Sequence, residues 1–182
     1  MTLMLQLYRP ALLLSLLSMG CARARSAGEA AITPAATATL AGADGKSVGS
    51  ATLYEVAGAV RIDLSLSGLP DGTHGVHLHQ TGTCDAPEFT TAGGHINPTD
   101  AKHGTKNPNG PHAGDMPNVI ISGGRSVLYS TMTMRVALAG GLNGLFDADG
   151  SAIVVHATAD DEMTDPSGNS GARIACGVIT KR

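Results

Sequence analysis

Tryptophan is absent from this 182-residue chain, and aromatic residues together make up only 3% of it. The apolar positions fall instead to Ala, Val, Ile and Leu, and 24 glycines are available for turns. Small, β-branched and turn-forming residues favour strands joined by tight turns over a helical bundle. Basic charge is also thin. With 12 Lys and Arg against 15 Asp and Glu, the formal net charge is -3 and no basic patch is visible. That argues against nucleic acid as a partner, because phosphate binding relies on clustered cations that release counterions. No internal repeat of solenoid period occurs, and no convincing amphipathic helix. The length suits one domain with a full core plus an N-terminal appendage.

Long hydrophobic runs are missing too. The apolar stretch from Ala11 to Leu17 follows Arg9 and is too short to span a bilayer, but it has the length of a signal-peptide core. Residues 1–21 are therefore expected to direct export to the periplasm or cell envelope. The segment LSMGC has the layout of a bacterial lipoprotein signal, in which Cys21 becomes the acylated first residue and anchors the chain to a membrane through its lipid. Ser18 stands where such signals usually carry Leu. Cleavage after Ala22-Arg23-Ala24 is the alternative, and it would discard Cys21. Residues 22–35 lack a periodic apolar pattern and read as a flexible tether, so the domain is expected over residues 36–182. Only three cysteines occur. Acylating or removing Cys21 leaves Cys84 and Cys176 as a pair, which in an oxidising compartment closes a disulfide.

Within the domain, Thr37 and Thr39 belong to a first strand ending near Ala41, and an Asp44-Gly45 turn leads into Val48–Val56. Val60, Ile62, Leu64 and Leu66 then alternate with Arg61, Asp63, Ser65 and Ser67, the period of a half-buried strand. Further strands are expected at about 74–80, 118–122, 125–136, 151–157 and 173–179. About eight strands without a helix indicate an antiparallel sandwich or barrel. Two stretches break the pattern. Residues 81–116 and 157–172 are rich in Gly, Pro, Asn, Asp and His, and loops of such length are uncommon unless function or something other than a core holds them.

Histidine supplies that something. In GVHLHQTGTC, His77 and His79 stand two apart and leave the same face of one strand, so their rings can chelate one ion. His95, His103 and His112, followed by Asp115, lie in the first long loop, and His156 sits on another strand. Imidazole and carboxylate are the ligands of choice for zinc and copper, and metal binding can order a loop that lacks its own core. The supply exceeds one tetrahedral site. His74 precedes a glycine and is expected to make a structural hydrogen bond rather than to bind metal.

The order HGVHLH, TAGGHINP, HGTKNPNGPHAGD, VVHATADD, GNSGARIACGVI resembles the copper,zinc superoxide dismutases from about Ala36 to Thr180. The resemblance implies an all-β, eight-stranded antiparallel Greek-key β-barrel, an immunoglobulin-like sandwich with long metal-binding and electrostatic loops. It implies one copper and one zinc per chain. His77, His79, His95 and His156 match the copper ligands, with His95 bridging to a zinc held also by His103, His112 and Asp115. Asp160 matches the carboxylate linking His77 to His103, Cys84 and Cys176 match the family disulfide, and Arg173 matches the arginine beside the copper that draws in superoxide. The implied activity converts two superoxide ions to dioxygen and hydrogen peroxide, with a homodimer or a monomer both known among relatives. Residues 157–172 contain no lysine. Unless Lys102 or Lys106 reaches the channel mouth, steering of the substrate rests on Arg173 and the metals. Two other readings stay open at this point: a non-catalytic metal-binding domain of the same fold, and a mononuclear zinc hydrolase using some of the histidines.

Overall fold

The computed structural model describes residues 32–124 and 126–182. The expected export signal, Cys21 and the expected tether as far as Ala31 lie outside the described residues.

Among the described residues ten strand segments form in chain order: β1 (Ala36–Gly42), β2 (Ser47–Val56), β3 (Ala59–Leu66), β4 (Gly72–His74), β5 (Val76–His79), β6 (Val119–Ile121), β7 (Val127–Thr133), β8 (Ala152–His156), β9 (Arg173–Val178) and β10 (Thr180–Lys181). They amount to the eight expected strands. The histidine strand is interrupted at Gly75 into β4 and β5, and the last strand at Ile179 into β9 and β10. All pairings between these strands are antiparallel, in the order β5-β8-β9-β1-β2-β3-β7, with β10 also on β1 and β6 on β4. The sheet curls around one core, to which β1, β2, β3, β5, β6, β8 and β9 all send buried side chains. Tyr129 of β7 donates to the Pro117 carbonyl at 2.8 Å and so links the ends of the curl. The β7 strand is shorter than its sequence suggested, ending at Thr133.

Local sequence explains the departures from simple alternation. In β3, Val60, Ile62, Leu64 and Leu66 all point inward and are buried. Each such burial is worth about 1.5–3 kcal/mol relative to exposure. In β2, Val48 is buried together with Ala51 and Leu53, although it stands three and five positions from them and strict alternation would face it the other way. A bulge resolves the conflict: Leu40 pairs with Gly49 but Ala41 pairs with Ser47, so Val48 is the extra residue and the facing switches.

The fully buried strand β8 has two clients. Ile153 and Val155 enter the main core, while Ala152 and Val154 face outward and join Phe89, Ala92 and Cys176 in a second, smaller core. This cluster lies under the first long loop, which carries a single 3-10 turn at Thr90–Ala92. Backbone bonds fasten the same loop to β5: Leu78 N–H donates to Gly114 O at 2.9 Å, and Ile96 N–H to Leu78 O at 3.0 Å. A β-carbon at Gly114 would collide with the Leu78 carbonyl, so only glycine permits this approach. The Cys84–Cys176 disulfide joins the loop to β9 across 92 residues of sequence.

Candidate metal centre

The alternation in β5 sends Val76 and Leu78 into the main core and leaves His77 and His79 on the outer face. His156 lies at the end of the neighbouring strand β8, where His77 pairs with Val154 and His79 with Ala152. The long loop returns along the free edge of β5 and brings His95 beside His79 and Asp115 beside His77. Six histidines and Asp115, all buried, thus gather on the outer wall of the barrel beneath the two polar loops.

Their ligand atoms form two groups, each within 4.8 Å: His77, His79, His95 and His156, and then His95, His103, His112 and Asp115. In the second group Asp115 Oδ1 lies 2.9 Å from His95 Nδ1, 3.0 Å from His103 Nδ1 and 3.3 Å from His112 Nδ1. His95 Nδ1 and His112 Nδ1 are 3.3 Å apart. A tetrahedral ion with ligand bonds of about 2.0 Å has edges near ~3.3 Å, so this spacing is that of a zinc cage.

Among the described residues, five of the eight buried polar side-chain atoms without a hydrogen-bond partner are imidazole nitrogens of the cluster: His77 Nδ1, His79 Nε2, His95 Nε2, His103 Nδ1 and His156 Nε2. Burying such atoms unpaired costs free energy, unless their lone pairs serve an ion. The opposite ring nitrogens are all engaged. His77 Nε2–H donates to Asp160 Oδ2 at 2.8 Å, His79 Nδ1–H to Gly93 O at 3.0 Å and His156 Nδ1–H to Gly171 O at 3.2 Å. His103 Nε2–H donates to Asp160 Oδ1 at 2.9 Å. Each bond fixes a tautomer and aims the free nitrogen into the cluster. The donor set therefore fits copper and zinc.

Electrostatics agree. Burial pushes His95 down to about 4 and His156 to about 3, and lowers His77 and His79 as well, which keeps these rings neutral and able to coordinate. His103 is the exception: burial pushes it down, but the carboxylates of Asp115 and Asp160, 3.0 and 2.9 Å from its two ring nitrogens, lift it to about 9, so without metal it keeps a proton that a bound cation would displace. Against the opposing effect of burial, hydrogen bonds from the histidines hold both carboxylates well below their usual range.

Asp160 is itself bracketed by a residue with no obvious sequence signal. Asn118 Nδ2 donates to the Asp160 carbonyl, and Asp160 N–H to Asn118 Oδ1, each at 2.8 Å. Arg173 pairs with His156 across β8 and β9, and donates to Phe89 O at 2.6 Å and Gly93 O at 2.7 Å. The Gly93 carbonyl thus orients both an imidazole and the guanidinium; backbone acceptors like this escape a reading by residue type. His74 stands apart from the metal groups, its ring nitrogens 2.8 Å from His156 O and 3.0 Å from Pro70 O. Lys102 and Lys106 are paired with Asp165 at 3.0 Å and Glu162 at 3.8 Å.

A curled antiparallel barrel bearing two four-ligand groups that share one imidazole defines a dinuclear metalloprotein of the histidine-bridged class. The chain belongs to the copper/zinc superoxide dismutase family, whose model, "Copper/zinc superoxide dismutase (SODC)", matches residues 47–179. It is 44% identical over 146 residues to superoxide dismutase (Cu-Zn) 2 of Aquifex aeolicus, covering 79% of this chain and 85% of that one. It is 42% identical over 147 residues to the Cu-Zn superoxide dismutase of Caulobacter vibrioides, covering 79% and 84%. Among solved structures it matches a double mutant of a SOD-like protein from Bacillus subtilis with a TM-score of 0.75 at 40% identity, over 78% of this chain and 95% of that one. The chain is accordingly an oxidoreductase that dismutates superoxide to dioxygen and hydrogen peroxide.

Proposed function

We propose that His77, His79, His95 and His156 hold copper, and that His95, His103, His112 and Asp115 hold zinc. The observation that carries this reading is His95, a single ring common to both ligand groups. Bound copper would supply a one-electron couple, which no side chain of the cluster offers. The protein supplies the rest. Arg173, its two Nη atoms fixed on loop carbonyls, attracts the superoxide anion and orients it by a charge-assisted hydrogen bond. His95 Nε2, buried and without a protein partner, is the atom that holds a proton between the two half-reactions. His95 Nδ1, kept beside Asp115, prevents the ring from swinging away meanwhile. Asp160 holds His77 and His103 together, so the two metal sites share one support.

The enzyme works outside the cytoplasm, in the periplasm or cell envelope, as an antioxidant defence. Residues 1–21 export it, Cys21 carries a lipid anchor, and residues 22–35 tether the domain. The disulfide supports this placement, since such bonds persist in oxidising compartments. Metal analysis of the exported protein tests the central reading: about one copper and one zinc per chain with superoxide-dependent activity is expected. A zinc-only protein with hydrolytic activity would overturn it. Cys21→Ser should release the protein from membranes; if the variant stays membrane-bound, the anchor is wrong.

A further inference from the structure

Among the described residues two half-buried arginines, Arg135 and Arg173, have no carboxylate at ion-pair distance, whereas the half-buried Arg61 is paired with Asp63 at 3.0 Å. An uncompensated, partly desolvated cation costs free energy and recurs where an anion is to be bound. Arg173 has the substrate. Arg135 has nothing assigned to it.

Arg135 follows β7, and its position is fixed at both ends. Its Nη2 donates to the Asp115 carbonyl at 2.6 Å, and Asn143 Nδ2 donates to the Arg135 carbonyl at 2.8 Å. Nε is buried without a partner, so the guanidinium is under-used as well as unneutralised. The residue lines a cavity of about 310 Å³ whose other walls include Pro98, Pro111, Ala113, Leu142 and Asn143. Leu142 projects with 88% of its surface exposed, so an apolar side chain stands over the cavity with no cover from its own chain. One fixed cation among walls that are mainly aliphatic, with Thr99 and Asn143 the other polar residues, matches an aliphatic carboxylate better than phosphate or sulfate, which have no apolar part for the prolines and Leu142 to cover.

We propose that this groove binds a small aliphatic carboxylate, with Arg135 on the carboxylate and Leu142 against the hydrocarbon chain. The site is separate from the metal cluster, although Arg135 touches the main chain of Asp115. Butyrate serves as the probe, titrated into the reduced, metal-loaded, ¹⁵N-labelled protein and followed by amide shifts. Saturable shifts at Ala113, Leu142 and Asn143 are expected. Butyramide, which lacks the charge, should bind about tenfold more weakly or worse, as should butyrate to Arg135→Met. Should Arg135→Met fail to fold, Leu142→Glu serves, because an exposed residue there tolerates change. Its carboxylate would compete for Arg135 and weaken butyrate about tenfold. Equal binding of butyramide, equal binding of phosphate, indifference to Leu142→Glu, or shifts confined to Ala172 and Arg173 would each overturn the proposal.

Discussion

Asp160 shows how much can rest on one side chain. Its two oxygens accept from His77 and His103, one from each ligand group, while Asn118 grips its backbone on both sides. Asp160→Asn keeps the backbone grip but offers only one acceptor oxygen, so one imidazole loses the bond that fixes its tautomer. Metal affinity should fall about 10–100-fold, measured by competition with a chelator. Unchanged affinity would mean that the cluster orients itself. The buried histidines of the cluster also give the metal-free protein a pH profile. His95 and His156 fall from 6.5 to about 4 and about 3 on folding, so between 6.5 and those values the unfolded chain binds protons that the folded one refuses. Stability is therefore lost as pH drops through that window. His103 rises to about 9, so its contribution is present below 6.5 and is lost as pH rises through 9. Calorimetry of the apoprotein should show a maximum Tm near neutrality with a fall on both sides. A Tm that climbs steadily towards pH 4 would contradict these assignments.

At the scale of elements, what the sequence revealed and what it hid divide along a physical line. β3 and β5 were readable because one face is buried in the core and the period of two is written in their side chains; the ligand histidines were readable because their residue type is chemically narrow. The break at Gly75 was not, since it arises from packing: a β-carbon there would come within 2.9 Å of Ser170 Cβ and 3.2 Å of His77 Cε1. Nor was the anchoring of the first long loop, which depends on Phe89, a lone apolar residue whose neighbours Ala152, Val154 and Cys176 are distant in sequence. The acidic loop, residues 157–172, carries no lysine or arginine, and its contacts deepen that deficit of guiding cations. Asp165 and Glu162 engage Lys102 and Lys106 of the metal loop, so these lysines present a reduced field to an approaching anion. The rate with superoxide should consequently change by about twofold or less between roughly 0.01 and 0.15 M salt, where screening shortens the reach of charge from about 30 to 8 Å. Stopped-flow or pulse-radiolysis rates across that range decide it, and a steep decline would show that steering cations remain active.

For the molecule as a whole, the barrel and its site are joined by a few long-range ties, of which the Cys84–Cys176 disulfide is covalent and spans 92 residues of sequence. Cys176 sits in β9 opposite Val154 and Ala41, deep in the sheet, whereas Cys84 opens the segment that supplies the Phe89 and Gly93 carbonyls to Arg173. The bond therefore ties the rigid wall to the stretch of loop that aims the guiding cation. In the unfolded chain it acts differently, by closing a loop of 92 residues and denying the ensemble its most extended members. Both effects predict the outcome of Cys84→Ser. Urea unfolding should show a loss of about 2–5 kcal/mol, with a larger m-value because the freed chain exposes more surface when it unfolds. A lower midpoint at constant m would place the effect in the native packing of Phe89 and β8 instead, and would identify the smaller core, rather than chain entropy, as what the disulfide protects.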